Sequence, residues 1–256
     1  MTNIVMREFG SGAPILLLHG TPSPASDWLP IATRLAENYR VLLPELPGYG
    51  ASPPPVDATF ERVDDELAAA LDARGVRHLR AIAGFSSGAY RALDLVIRRK
   101  VGCELVISLG GVANFDQEAR DMRRGFARAI EADPGFLHSG DARQAVRDLM
   151  LGPNPSEDAK QRIDTWADST TTAALVAELD ALASIRDLRP ELRRVTQRLY
   201  LRVGAADRAC PPALSEEIAA RVTGSVLESV PNCGHALLLE DLAGTTSAIE
   251  QQLDRR

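Results

Sequence analysis

Cysteine is scarce in this chain. Three cysteines among 256 residues are too few for a disulfide framework at this length. Basic residues are not in excess either: 29 Lys and Arg stand against 35 Asp and Glu, a formal charge of -6. A nucleic-acid binder ordinarily carries a basic face to neutralise phosphates, so that class loses ground. No apolar run approaches the ~20 residues that a membrane span requires. The opening stretch, MTNIVMREFGSG, lacks an apolar core and carries Arg7 and Glu8, so no signal peptide is visible. There is no internal repeat and no low-complexity tract. With 45% hydrophobic and 25% charged residues, wholesale disorder is excluded. A chain of this size buries roughly three quarters of its unfolded surface and needs no disulfide or metal staple. The expectation is a soluble cytoplasmic protein of one or two domains, with no nucleic acid as partner and no membrane span.

What is present is an alternation. PILLL (Pro14 to Leu18), VLL (Val41 to Leu43), LRAIA (Leu79 to Ala83), ELVISL (Glu104 to Leu109), RLYLRV (Arg198 to Val203) and SVLESV (Ser225 to Val230) read as strands. Several are almost continuously apolar, as parallel strands buried on both faces are. Helical patterns separate most of them: Trp28 to Glu37, Phe60 to Arg74, Ala89 to Arg99, Ala213 to Arg221 and Leu242 to Leu253. Strand–helix–strand alternation with right-handed crossovers predicts a doubly wound, mostly parallel α/β sheet. Ile4 to Phe9 adds an antiparallel edge strand. From about Asn114 to Pro190 the alternation stops. Phe115 to Glu131, Asp141 to Leu151 and Ser156 to Ala183 read as helices, broken at Asp133-Pro134-Gly135 and Gly152-Pro153-Asn154-Pro155. This segment is about twice the length of an ordinary crossover. It is expected to be a helical cap over residues 113–190, inserted into a core made of residues 1–112 and 191–256.

Gly84-Phe85-Ser86-Ser87-Gly88 follows a strand and precedes a helix. That is the setting of a G-x-S-x-G nucleophile elbow. A sharp strand-to-helix turn strains the serine backbone and requires neighbours without bulk, which Gly84 and Gly88 supply. The turn lifts the Ser86 hydroxyl above the sheet. It also leaves the Ser87 N–H at a helix N-terminus, where an anion is favoured. A serine hydroxyl is a poor nucleophile and needs a base. Of the four histidines, His78 and His138 read as surface residues, and His19 follows the strand PILLL. His235, in the loop Asn232-Cys233-Gly234-His235 after the last strand, emerges at the same carboxyl edge as the elbow. A base needs an orienting acid. Asp207, in the loop after RLYLRV, emerges at that edge too. Asp116 is the rival acid but stands further from its strand end. Glu240 and Asp241 suit capping of the last helix.

These pieces together resemble the α/β-hydrolase family in its single-domain, helical-cap form. The matching motifs are His19-Gly20-Thr21-Pro22, Glu45-Leu46-Pro47-Gly48-Tyr49-Gly50-Ala51-Ser52, the Gly84–Gly88 elbow, the Gly204–Pro211 loop and the Asn232–His235 loop. The resemblance implies a hydrolase without a cofactor or metal. It implies Ser86, Asp207 and His235 as a catalytic triad, and the N–H groups of Thr21 and Ser87 as an oxyanion hole. It makes His19 a structural residue. The chain departs from the family in a short lead before PILLL, in Glu45 where Asp is frequent, and in Phe85 where His is frequent. Serine at position 86, rather than Asp, argues against dehalogenase and epoxide hydrolase chemistry.

The leading expectation is a serine esterase or lactonase for a small to medium, largely apolar acyl substrate, working through an acyl-enzyme. No fixed charge is evident at the pocket mouth, and the run Arg120-Asp121-Met122-Arg123-Arg124 reads as a solvated helix face. Two alternatives stay open. One is a carbon–carbon bond hydrolase of the dienoate-cleaving kind, which would use a cap arginine among Arg123, Arg124 and Arg128 for a substrate carboxylate. The other is a non-catalytic ligand sensor that keeps the fold. Trp28, Trp166 and Phe126 read as packing residues, and Cys210 and Cys233, flanking the acid and base loops, are expected near one another as free thiols.

Overall fold

The computed structural model describes residues 4–55 and 59–255. Residues 1–3, part of the opening stretch inspected for a signal peptide, lie outside the described residues. Among the described residues seven strands form one sheet in the order β1-β3-β2-β4-β5-β6-β7. They are β1 (Val5–Phe9), β2 (Pro14–Leu18), β3 (Arg40–Glu45), β4 (His78–Phe85), β5 (Gly102–Leu109), β6 (Arg198–Gly204) and β7 (Val226–Val230). Only β1 is antiparallel to its neighbour; the remaining pairings are parallel. The short lead thus supplies one edge strand before PILLL.

The sheet is buried on both faces because its strands are apolar on both. Leu16, Leu18, Leu42 and Val106 pack into one core, and Ile15, Leu17, Val41, Leu43, Leu105 and Ile107 into the other. Helices α1 (Leu29–Leu35), α2 (Phe60–Asp72) and α3 (Ser87–Ile97) follow the first strands. Between β5 and β6 lie α4 (Gln117–Ala132), α5 (Gly140–Met150), α6 (Glu157–Thr165) and α7 (Thr172–Ala183), and after β6 come α8 (Pro212–Ala219), α9 (Leu237–Glu240) and α10 (Leu242–Asp254). Leu67 and Leu71 of α2, Leu93 of α3 and Ile218 of α8 share the first core. Ile31 and Leu35 of α1 and Ile249 and Leu253 of α10 share the second. No helix among the described residues is long and apolar enough to cross a membrane.

Each helix of the α4–α7 insertion opens on a capping side chain. Asp116, Ser139, Ser156 and Thr171 accept the N–H groups of Ala119, Ala142, Ala159 and Ala174. The single helical stretch expected over Ser156 to Ala183 is broken. After α6 the chain makes a 3₁₀ turn, Trp166–Ser169, and Thr170 pairs with Tyr49 in an isolated antiparallel bridge. The run Ser169-Thr170-Thr171 explains the break: short hydroxyl side chains compete for backbone groups. Ser169 Oγ donates to Pro22 O at 2.7 Å and Thr170 Oγ1 to Gly48 O at 2.7 Å. The two ends of the insertion meet where Leu188 N–H donates to Ala113 O at 2.9 Å. Arg120 bridges them, donating to Phe115 O, Asn114 Oδ1, Ala183 O and Ile185 O.

The crossing of β4 into α3 is packed backbone on backbone. A Cβ on Gly84 would stand 2.2 Å from Gly88 O, and one on Gly88 would stand 2.4 Å from Leu18 O. Both obstacles are backbone, which cannot swing aside. Gly84→Ala is therefore expected to cost about 3 kcal/mol of unfolding free energy, at the upper end of overpacking effects. Urea denaturation of the variant checks this, and a loss below about 1 kcal/mol would mean that the crossing is looser than described.

His19 pins the loop after β3. Its Nδ1 hydrogen bonds to Gly20 O at 2.9 Å, and its Nε2 accepts the Leu46 N–H at 3.0 Å. Accepting at Nε2 means that Nδ1 carries the hydrogen, so the ring is neutral. Burial lowers its pKa from 6.5 to about 4. The unfolded chain takes up this proton below 6.5 and the folded chain only near 4, so the stabilisation is complete above pH 6.5 and is lost as pH falls through that window. Lowering the pH from about 7.5 to about 5 should remove about 2 kcal/mol through His19. In His19→Asn, the slope of stability against pH over that range should flatten; an unaltered slope rejects the assignment.

Candidate active site

Ser86 sits at the apex of the crossing with φ 56° and ψ −118°. A non-glycine residue held there is strained by about 1–3 kcal/mol. Its N–H donates to Leu109 O at 2.8 Å, which ties the turn to β5. Gly20 approaches so closely that a Cβ there would stand 2.9 Å from Ser86 Cβ. Ser86 is partly exposed, unlike Phe85 and Ser87 on either side of it.

Asp207 follows β6 and His235 follows β7, and the two loops are sewn together. Ala205 N–H donates to Val230 O and Ala206 N–H to Cys233 O, each at 2.9 Å. The carboxylate of Asp207 is fully buried; Oδ1 accepts the Cys210 N–H at 2.7 Å and Oδ2 meets His235 Nδ1 at 2.7 Å. A carboxylate offers only acceptors, so Nδ1 is the protonated nitrogen and Nε2 presents a lone pair. Gly110, at φ +58°, backs this pair; a Cβ there would stand 3.1 Å from the imidazole. Phe85 lies against the ring with centroids 5.0 Å apart.

His235 and Ser86 open on one cavity of about 100 Å³. Among the described residues no hydrogen bond joins Ser86 Oγ to His235 Nε2. Thr21 lines the same cavity. Its hydroxyl is 2.9 Å from the Ser87 hydroxyl, so the two turns are clasped directly. Neither the Thr21 N–H nor the Ser87 N–H donates to an acceptor among the described residues. Tyr49 stacks edge-on against His19 and donates to Glu178 Oε2 of α7 at 2.5 Å. Both Tyr49 and Glu178 are pushed above their ordinary pKa values by burial.

The remaining sequence candidates separate cleanly. Asp116 caps α4 through the Ala119 N–H, whereas Asp207 is the carboxylate that meets His235. His78 and His138 are exposed beside Glu104 and Asp168. Glu240 and Asp241 do not cap α10 through their side chains, contrary to expectation. Glu240 accepts the Gly152 and Gly234 N–H groups at 2.7 and 2.8 Å, so it fastens the His235 loop to the end of α5. Asp241 pairs with Arg202. Glu45 accepts from the Ala51 N–H at 2.7 Å and shapes the Gly48–Ala51 turn. Trp28 is buried and donates to Leu18 O at 3.2 Å, and Trp166 is buried and donates to Asp27 Oδ2 at 2.8 Å. Phe126 does line the cavity. Cys210 and Cys233 are free and buried, and they pack into different hydrophobic cores.

The charge run of α4 is the main departure. It is not a uniformly solvated face: Arg123 is 8% exposed and lines the cavity, so the pocket does carry a fixed charge. Burial holds its guanidinium below the ordinary value, yet an arginine remains protonated. Its guanidinium carbon lies 3.5 Å from the Phe115 ring centroid. Most of the other walls are apolar, including Met122, Phe126, Leu175 and Leu179. No set of three or more His, Cys, Asp or Glu side chains among the described residues is placed to hold a metal ion.

Comparison with known proteins identifies the family. A family model described as "Alpha/beta hydrolase family" matches residues 15–246. A pimeloyl-[acyl-carrier protein] methyl ester esterase from Aeromonas hydrophila is 30% identical over 221 residues, covering 82% of this chain and 84% of that protein. A thermophilic esterase from Thermogutta terrifontis superposes with a TM-score of 0.88 at 23% identity, over 98% of this chain and 92% of that one. An enol-lactonase from Burkholderia xenovorans gives a TM-score of 0.84 at 21% identity, over 98% and 96%. The last two are likenesses of fold. The sheet order, the serine turn between β4 and α3, and the family match over most of its length place this chain in the alpha/beta hydrolase family.

Proposed function

We propose that the chain is a carboxylic ester hydrolase that uses Ser86 as nucleophile, His235 as general base and acid, and Asp207 to orient the imidazole. The observation that carries this reading is the 2.7 Å Asp207–His235 contact beside a strained serine opening on the same cavity. Ser86 Oγ attacks the acyl carbon while His235 Nε2 takes its proton. The Ser86–His235 hydrogen bond forms as substrate closes the site; such bonds are often long in empty enzymes and tighten in the complex. The unpartnered N–H groups of Thr21 and Ser87 receive the developing oxyanion, each typically worth about 100–1,000-fold in rate. His235 then protonates the leaving oxygen, and water repeats the sequence on the acyl-enzyme. The α4–α7 insertion acts as a cap that supplies most of the acyl pocket. The kinship with a methyl ester esterase supports ester chemistry; the acyl group this chain accepts is set by its own pocket.

A second reading is favoured by one observation, the guanidinium of Arg123 among the pocket walls, because a carbon–carbon bond hydrolase would need such a cation. Turnover of chromogenic esters but not of a vinylogous diketo acid decides for the ester.

Ser86→Ala should lower turnover of p-nitrophenyl butyrate by about 10⁴-fold or more with an unchanged circular dichroism spectrum. Undiminished turnover would falsify the nucleophile. Asp207→Asn should lower kcat by about 10⁴-fold, since the imidazole loses its tautomer control. The small cavity predicts that kcat/KM falls from butyrate to laurate esters; a steady rise with chain length would contradict it.

A further inference from the structure

Among the described residues three arginines are buried: Arg91, Arg123 and Arg202. Arg91 donates to Asp64 Oδ1 at 2.7 Å. Arg202 pairs with Glu228 and Asp241. Arg123 pairs with no carboxylate of the described residues. An uncompensated cation removed from water is unfavourable, and buried charges are ordinarily paired. The groups that reach it are Cys210, whose thiol burial keeps protonated, Asp116, engaged in capping α4, and Arg120, which is of like sign.

The geometry of the guanidinium is that of a binder left half used. One face stacks on Phe115. Nη1 donates to Ala119 O at 2.8 Å, and Nη2 reaches Ala209 O at 3.5 Å. A guanidinium has five N–H donors, so most remain free at its in-plane edge. Stacking on an aromatic face leaves that edge available for the fork-like pairing that a planar carboxylate accepts. Its neighbours do not compete for the role: Arg124 pairs with Asp121 at 3.3 Å and Arg128 is exposed. Arg123 shares its cavity with Ser86 and His235, and the walls between are apolar.

We infer that Arg123 is an anion-binding residue for the substrate, and that the preferred substrate is an ester or lactone whose acyl portion carries a carboxylate at the far end of a short apolar stretch. The inference rests on the hydrolase reading above. One cation in apolar walls balances the single charge of a carboxylate and not the two of a phosphate monoester. The carboxylate displaces no protein partner when it binds, because none is present, and it satisfies the donors that the fold leaves open.

The test uses matched substrates, mono-p-nitrophenyl adipate and p-nitrophenyl hexanoate, which differ at the distal carbon alone. The readout is the ratio of their kcat/KM values in the wild type, Arg123→Met and Arg123→Lys, at constant ionic strength. The wild type should favour the acidic ester, and Arg123→Met should lower the ratio by about 10-fold or more, the typical worth of a hydrogen bond to a charged group. Arg123→Lys, which keeps the charge without the fork, should fall between. Because a ratio is read, a general loss of activity in a variant does not mimic the effect. Should Arg123→Met fail to fold, Arg123→Lys and Arg123→Gln supply the comparison. A ratio that moves by less than about threefold overturns the inference. Calorimetric binding of monomethyl adipate against methyl hexanoate to Ser86→Ala, with and without Arg123→Met, gives a second readout that needs no turnover. Absence of turnover on both esters, with binding of the acidic one still dependent on Arg123, would sink the hydrolase reading while leaving the anion site standing. Equal binding of the two esters would sink the anion site.

Discussion

Backbone packed directly on backbone is the constraint from which the site follows. At the β4–α3 crossing, Gly84, Gly88 and Gly20 let three chain segments meet at distances that a side chain would forbid. The contact forces Ser86 into its positive-φ turn and aligns it with the free end of α3. A second contact of the same kind joins Gly204 to the Cys233–Gly234 backbone, where a Cβ would stand 2.0 Å from Gly234 O. That contact sets the His235 loop against the Asp207 loop. The strained conformation persists because the strands that deliver it are buried on both faces, and moving any of them would expose the core.

The insertion is held by polar contacts as well as by apolar packing of residues such as Ile163 and Trp166 into the core, and this shapes how it relates to the site. Asp27 accepts from Trp166 Nε1 and Ser23 Oγ and pairs with Arg162. Tyr49 reaches Glu178, and Ser169 and Thr170 reach Pro22 and Gly48. The same turns carry Thr21 and the His19 ring. The corner between α6 and α7 is thus fastened to the segment that presents the Thr21 amide, and the pocket walls and the amide pair are parts of one hydrogen-bonded frame. Within it the buried charges divide in two: Asp27, Arg91 and Arg202 are compensated inside the protein, whereas Arg123 faces the cavity uncompensated.

Most of the fold was legible because each element carries its own signal. Short continuous apolar runs such as Ile15–Leu18, alternating with helical patterns, read as two-sided strands, and the turns between elements are marked by Gly, Pro and Asn. Ser86, Asp207 and His235 could be singled out because each follows a strand in a parallel sheet, whose carboxyl ends share one edge. Reading failed where a residue's partner is remote in sequence. Nothing near Glu240 shows that it reaches back to Gly152, 88 positions away. Cys210 and Cys233 flank adjoining loops, yet they pack into different cores. The helix break at Ser169–Thr171 did leave a mark in its hydroxyl run, which a reading for helical period overlooked.

The sequence by itself determined the kind and order of the elements and which loops follow a strand to the carboxyl edge, since strand pattern and turn residues are local properties. Only the tertiary structure decided which arginine of α4 enters the pocket. Arg120, Arg123 and Arg124 look alike in a charged helical run. Their fates diverge because the packing of α4 against its neighbours fixes the helix's rotation, turning one guanidinium inward over Phe115 and leaving the others to bind carbonyls or pair with Asp121.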